Sequence, residues 1–471
     1  MPDINLLEVD RGSVVAPAGC GKTQLIVSAL TRHTNTKPIL ILTHTNAGVA
    51  ALRARLLALG VQQTSYRLAT IDGWSMRLTN LFPQRSGYSA GPNVSKPDYP
   101  LIRKASMRLL KSGDIADILS ANYGRLLVDE YQDCSIEQHA IVYHAARSMP
   151  TCVLGDPMQA IFGFKGNTLV DWDKYVATHF PLVGSLNIPW RWVNSGTEEL
   201  GKWLLEAREI LHGGGRLDLT KAPSSVRVTT LLGDAKDYER LVQAAQCKHK
   251  KSGETTLVIG DSRSAQSRHK IAKSVPGIVT IEPVDLGDVT TFASSLDLAA
   301  DTLVSETLNF AETVITNVGA NSVLERCRSI ASGAAKKPPN EIETAALALS
   351  ADPSLPAVAE LLAACSAEVG NRTFRPGVLR AALKAISMCG TNQGLSFADA
   401  AVRVREENRA VGRQLPRNAI GSTLLLKGLE ADHVVVLNAS DLDARNLYVA
   451  MTRGAKTVTL CSRSSVLAPS R

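Results

Sequence analysis

The octapeptide Ala16-Pro17-Ala18-Gly19-Cys20-Gly21-Lys22-Thr23 constrains this chain more than any other stretch. It follows the compact apolar run Ser13–Ala16 and opens a helical pattern, so it reads as a loop that turns a strand into a helix. Glycines allow the backbone N–H groups to turn inward, and the N-terminus of the following helix adds partial positive charge. A loop of this kind cradles phosphates. Lys22 is placed to reach β- and γ-phosphates, and Thr23 to ligate Mg²⁺. The alternative is an ordinary glycine-rich turn, but the Gly-Lys-Thr ending in a strand-to-helix context speaks against it. The position usually held by the first glycine is Ala16.

The same strand–helix alternation continues. Pro38–Thr43, Arg125–Asp129 and Thr151–Gly155 are further compact apolar runs, which predict buried strands with helical stretches between them. Strands spaced by helices imply a parallel sheet with right-handed crossovers, whose ligands bind beyond the C-terminal strand ends. Residues 83–100, rich in Pro, Gly, Ser and Tyr, predict a loop inside an insertion at about 80–122. A second α/β pattern starts near residue 183, with strands predicted at Val226–Leu232, Thr255–Gly260, Gly277–Ile281, His433–Leu437 and Thr457–Cys461. From about Ser294 to Arg409, Ala, Leu, Ser and Glu recur at helical spacing. The expected organisation is a first domain at 1–182, a second at 183–285 with 412–471, and a helical insertion at 286–411. The expected class is α/β: two parallel-sheet domains with a P-loop NTPase core, plus small helical insertions.

Composition narrows the field further. The chain has 471 residues, too long for one ordinary domain. Lys and Arg number 52 against 44 Asp and Glu, a net charge of +8 that suits a nucleic-acid partner without requiring one. No apolar run is long enough to predict a membrane span. Asp3, Glu8 and Asp10 near the start argue against a secretory signal. The eight cysteines include no C-x-x-C pair, which argues against a disulfide framework, a zinc finger or a cysteine-held iron–sulfur cluster. A reducing, cytoplasmic setting is expected.

Leu126-Leu127-Val128-Asp129-Glu130 is an apolar strand ending in two acids. Asp129 at its tip is placed to hold Mg²⁺, and Glu130 to position and deprotonate an attacking water. Two solvated acids at a strand end would look the same in isolation. The phosphate loop upstream favours the catalytic reading.

APAGCGKT, LLVDEYQD, VLGDPMQAIFGFKG, IPWRW, KGLE and LYVAMTRGA occur in one order along the chain. This set resembles the ATPase motifs of the UvrD/Rep/PcrA branch of superfamily 1 helicases. The resemblance covers residues 12–200 and 415–462 well, and 226–281 loosely. It implies two RecA-like domains that hydrolyse ATP with Mg²⁺ while bound to single-stranded DNA. The compact length and the ending NASDLDARNLYVAMTRGAKTVTL are also similar to the UvrD-like subunit of the Gabija anti-phage system.

The resemblance assigns roles residue by residue. The nucleotide set is Ala18, Gly19, Cys20, Gly21, Lys22, Thr23 and Gln24, with Trp190 stacking on adenine and Glu430 touching the sugar. Gln159 senses the γ-phosphate, and Arg191 and Arg453 are two arginine fingers. Guanidinium groups suit charge developing on transferring oxygens. Phe162 and Phe164 stack on DNA bases, or are simply core residues. His44, Asn46, Thr70 and Trp74 lie in DNA-contacting segments, and Lys427 contacts phosphate or DNA backbone. His44 replaces a stacking Phe, so a structural histidine is an equal alternative.

Several positions depart from the family pattern. No glutamine precedes Gln24 to read adenine, Lys165 replaces an arginine, Asp72 stands where a His is usual, and Leu424 where another His couples the ATP and DNA sites. The insertions are also short. The leading expectation is an ATP-dependent DNA translocase or helicase moving 3′-to-5′ on single-stranded DNA, a direction implied by the resemblance. The alternative is a partner-activated NTPase subunit of a defence complex containing an OLD-family-like nuclease, with little unwinding of its own. A third reading is a scaffold that binds nucleotide without turnover; Glu130 and both arginines argue against it.

Overall fold

The run before the phosphate loop forms strand β1 (Arg11–Val15), which is followed by β2 (Ile39–Thr43), β3 (Tyr66–Thr70), β4 (Arg125–Val128), β5 (Thr151–Gly155) and β6 (Leu182–Ser185). The computed structural model describes residues 4–88, 97–163, 167–246, 251–392, 394–410 and 416–470. These six strands make one parallel sheet in the order β3-β2-β4-β5-β1-β6. Side chains alternate across it. Ile39, Ile41, Leu127, Cys152 and Leu154 join a core with Ile26 and Leu30 of the helix Lys22–Arg32. Leu40, Leu42, Leu126, Val128 and Val153 join a core on the other face with Trp74, Tyr131 and Phe180. Burial on both faces explains why β2, β4 and β5 are continuous apolar runs.

The edge strands β3 and β6 are not anticipated by the sequence reading. An edge strand need not be apolar throughout, and Leu182 and Val183 of β6 are exposed. The insertion at about 80–122 is largely helical in its described part, with helices Tyr99–Ser112 and Ala116–Asn122. Asp98 caps the first by accepting the Leu101 N–H at 3.0 Å.

The remaining strands are β7 (Leu217–Asp218), β8 (Val226–Thr230), β9 (Thr256–Ile259), β10 (Val279–Thr280), β11 (Asn418–Gly421), β12 (Ala431–Val436), β13 (Gly454–Ser462) and β14 (Val466–Leu467). β7 and β14 pair antiparallel as a small ribbon. The other six pair in parallel. The chain divides into two compact units, Met1–Gly233 with Lys427–Arg471, and Asp234–Leu426. Within the first, β12-β13-β8 are parallel neighbours; within the second, β10-β11-β9 are. The expected α/β class with two parallel sheets is borne out.

Between β10 and β11 the second unit is helical. Its helices run Gly287–Ser295, Leu303–Val314, Ala320–Ala331, Glu341–Ala351, Leu355–Ala367, Pro376–Thr391 and Phe397–Ala410. They share a core in which Phe292 stacks on Phe310 with ring centroids 4.0 Å apart. Pro376 begins a helix rather than breaking one, since its missing N–H costs nothing in the first turn. No helix among the described residues is long and apolar enough to cross a membrane.

Candidate nucleotide-binding and catalytic site

Strands β4, β5 and β1 lie side by side, so the loops after them meet at one sheet end. The loop after β1 needs its glycines. Gly19 has φ +71° and Gly21 φ +90°, both left-handed. A Cβ on Gly19 would also lie 2.6 Å from the Trp192 ring and 2.9 Å from the Arg191 Cβ. The segment Trp190-Arg191-Trp192 therefore packs directly on the loop. The Arg191 N–H donates to the Gly19 carbonyl at 3.1 Å. From the far end of the sequence, the Tyr448 hydroxyl accepts the Ala18 N–H at 3.2 Å. Burial and nearby Asp156 push the Cys20 thiol up to about 12, so it is an inert neutral lining. Gln24 is exposed, and Trp190 is half-buried over Gly21.

Lys22 holds both acids. Its ammonium lies 2.9 Å from Asp129 Oδ1 and also pairs with Glu130. Glu130 has φ +54°, an uncommon conformation for a residue with a side chain, worth about 1–3 kcal/mol of strain. The turn is secured by the Glu130 N–H donating to Asp129 Oδ1 at 2.9 Å. Burial raises the Asp129 carboxyl, against the opposing Lys22 ammonium. Burial would raise Glu130 too, but the Lys22 and Lys427 ammoniums and hydrogen bonds from Lys22 and Gln132 take it down to about 2. For Lys22 the two carboxylates outweigh burial and raise its pKa. Two carboxylates gathered on one ammonium mark a spot that favours a cation. Asp129 and the half-buried hydroxyl of Thr23 suit Mg²⁺, whose hard oxygen preference needs few protein ligands when phosphate supplies the others.

Gln159 follows β5 on the turn Pro157–Gln159. Its amide donates to Asp156 Oδ2 at 3.0 Å, and its carbonyl Oε1 lies 3.5 Å from Arg453 Nη2. Asp156 is anchored in turn by buried Arg208, which donates to Oδ1 through Nε at 3.0 Å and Nη2 at 2.9 Å. Arg453 is buried, donates to the Val449 carbonyl at 2.9 Å, and is lowered to about 10 by burial and by Arg191. Arg191 donates to the Thr452 carbonyl at 2.5 Å and pairs with exposed Glu430. The structure thus brings Lys22, Asp129, Glu130, Gln159, Arg191 and Arg453 together. It places Glu430 against Arg191.

The expected DNA-contacting set is divided. Phe162 is half-buried beside His44, ring centroids 5.7 Å apart, with the Lys427 ammonium 4.7 Å from its centroid. His44 is half-buried and its Nδ1 is buried without a partner; burial lowers its pKa. Asn46 is exposed at the start of the helix Asn46–Ala58. The Thr70 hydroxyl caps the helix Ile71–Leu81 by accepting the Gly73 N–H at 2.9 Å. Trp74 is a correction: it is 2% exposed in the core between sheet and helices, so it presents no face for a base. Its expected role mistook an apolar packing position for a surface one. Trp192 and Trp203 are likewise core. Phe164 and Lys165 lie outside the described residues.

Sequence reasoning missed four residues. Asp133 holds the Lys427 ammonium at 2.5 and 2.6 Å, and burial pushes its carboxyl up to about 7. Its signal was its place in the Asp129–Asp133 run. Arg103 forks onto Asp72 at 2.7 and 2.6 Å, so this acid carries its own cation. Tyr448 and Arg208 gave no local signal, because their partners are remote in sequence.

Residues 93–172, which include Asp129, Glu130 and Gln159, match the UvrD/REP helicase N-terminal domain model. No curated protein matches the chain. Among solved structures, the chain is similar to the arterivirus nonstructural protein 10 helicase in complex with DNA, at 13% identity and a TM-score of 0.27, over 57% of this chain and 52% of that one. It therefore spans about half of that protein's length. It is also similar to the Pif1 helicase from Candida albicans, at 10% identity and a TM-score of 0.39, over 98% of this chain and 93% of that one.

Proposed function

We propose that this chain is an ATP-dependent translocase or helicase of the UvrD type, hydrolysing ATP while bound to single-stranded DNA. One observation supports the reading above all. A single lysine of a phosphate loop, Lys22, is held by two adjacent acids, Asp129 and Glu130, in the same unit as Gln159, Arg453 and Arg191. That is the inventory phosphoryl transfer to water needs: a phosphate cradle, a cation-holding acid, a base and cationic stabilisers.

Asp129 and Thr23 would hold Mg²⁺, which when bound would neutralise charge on the phosphate oxygens. Lys22 then leaves the carboxylates for the β- and γ-phosphates. Its departure matters for the base, since a carboxylate clamped at about 2 is a poor proton acceptor. Freed from Lys22, Glu130 takes the proton of the attacking water. Gln159 orients the reacting end. Arg453 and Arg191 meet the charge that develops on the transferring oxygens. Trp190 offers a ring for the nucleotide base.

The test is steady-state ATP hydrolysis titrated with single-stranded DNA. The wild type is stimulated saturably. Glu130→Gln binds ATP but loses about 10²–10⁴-fold in turnover. Near-wild-type turnover in that variant refutes the assignment of the base, and a rate indifferent to DNA refutes the motor. A cytoplasmic role in anti-phage defence with a nuclease partner rests on the Gabija-like ending and the short insertions. Co-elution with a co-encoded nuclease tests it; failure to co-elute counts against it.

A further inference from the structure

Lys427 touches two parts of the site at once. Its ammonium lies 2.5 and 2.6 Å from the carboxylate oxygens of Asp133 and 2.5 Å from the carbonyl oxygen of Gln159. An ammonium has three N–H donors, and all three are taken. The side chain is 6% exposed and that of Asp133 3%. In this arrangement no donor is left for a DNA phosphate. What Lys427 offers its remaining neighbour is its positive field, which acts on the Phe162 ring.

Its two acceptors sit on the catalytic turns. Asp133 ends the turn Tyr131–Asp133, directly after Glu130. Gln159 ends the turn Pro157–Gln159, three positions before Phe162. A rearrangement of Glu130 or Gln159 on nucleotide loading therefore moves an acceptor of Lys427, and a displaced ammonium changes the setting of the Phe162 ring. The buried Lys427 ammonium already joins the two turns.

We propose that Asp133 and Lys427 are positioning residues that set Phe162 for a nucleic-acid base according to the state of Gln159 and Glu130, and that Lys427 does not itself grip the DNA backbone. The inference rests on the functional reading above.

The experiment measures the Kd for a fluorescent oligodeoxythymidylate at fixed salt, without nucleotide and with a non-hydrolysable ATP analogue. In the wild type the two Kd values differ by about 5–150-fold, the ordinary size of coupling between linked sites. In Lys427→Met the ratio falls to within about twofold, because the link is cut while ring and backbone remain. Lys427→Met strands Asp133 in a buried position, so the doubly neutral Asp133→Asn/Lys427→Met variant is measured beside it and shows the same collapse with a cooperative melt. The proposal is overturned if the variants bind DNA more weakly by one common factor in both nucleotide states, with a salt slope reduced by about one; Lys427 is then a backbone contact. A wild type that does not bind the oligonucleotide takes down the functional reading, and the inference with it. A wild type that binds with a nucleotide-independent Kd overturns the inference alone.

Discussion

Arg208→Met tests how Gln159 is held. Arg208, on the helix Glu198–His212, and Asp156 are both buried. Asp156 Oδ1 accepts two bonds from Arg208 and one from the Met158 N–H at 3.1 Å, and Oδ2 accepts from the Gln159 amide at 3.0 Å. Methionine keeps much of the length and loses the charge, which leaves the carboxylate buried without a cation. Removing one partner of a buried pair costs about 3–5 kcal/mol. At about 2–4 °C per kcal/mol for a large domain, the melting temperature falls by about 6–20 °C. The double variant Asp156→Asn/Arg208→Met removes the stranded charge and regains most of that loss, because replacing both partners is far cheaper than orphaning one. Turnover behaves differently. Asparagine can still accept the Met158 N–H, but it cannot keep the charge-assisted bond to Gln159, so kcat stays low in the double variant. Thermal melting followed by circular dichroism, with ATP hydrolysis in parallel, reads both quantities. A single variant that melts within about 2 °C of wild type refutes the claim that this pair is a buried, mutually dependent anchor.

Other expectations follow from the same geometry. Asp133 is pushed up to about 7 from an ordinary 3.8, so the folded protein holds its proton more tightly than the unfolded chain. Its contribution to stability is therefore full below about pH 4 and lost as pH rises through about 7, for a total of about 4 kcal/mol. Asp133→Asn should flatten that part of the melting-temperature profile between about pH 4 and 7; an unchanged profile refutes the shift. Phe162→Ala should raise the DNA concentration for half-maximal ATPase stimulation by about 1–3 kcal/mol in free-energy terms. Trp74→Ala should instead lose about 3–5 kcal/mol of stability with no change in that concentration. The opposite pattern would return Trp74 to the candidate DNA-contacting set.

Much of the candidate site was legible in the sequence because its chemistry is local. The phosphate loop and the acid pair are set by short runs at the ends of apolar strands. The residues 16–23 need Gly19 and Gly21 for backbone reasons, and Asp129 and Glu130 are placed by the strand that precedes them. β1, β2, β4 and β5 could be read because burial on both faces demands continuous apolar runs. β3 and β6 could not, since an edge strand tolerates Arg67 or an exposed Leu182.

What the sequence determined by itself, then, was the chemistry carried by contiguous residues: a loop that fits phosphate, acids that fit a cation, and two α/β patterns, the second interrupted by a helical one. The tertiary structure decided which distant residues complete it. Tyr448 reaches the Ala18 N–H across 430 positions, and Lys427 reaches Asp133 across 294. It also decided that Trp74 faces the core and that Asp72 carries Arg103. The physical reason is one of range. Backbone geometry and strand burial act between near neighbours in sequence, whereas the partner of a buried charge is chosen by whatever the folded sheet brings within hydrogen-bonding distance.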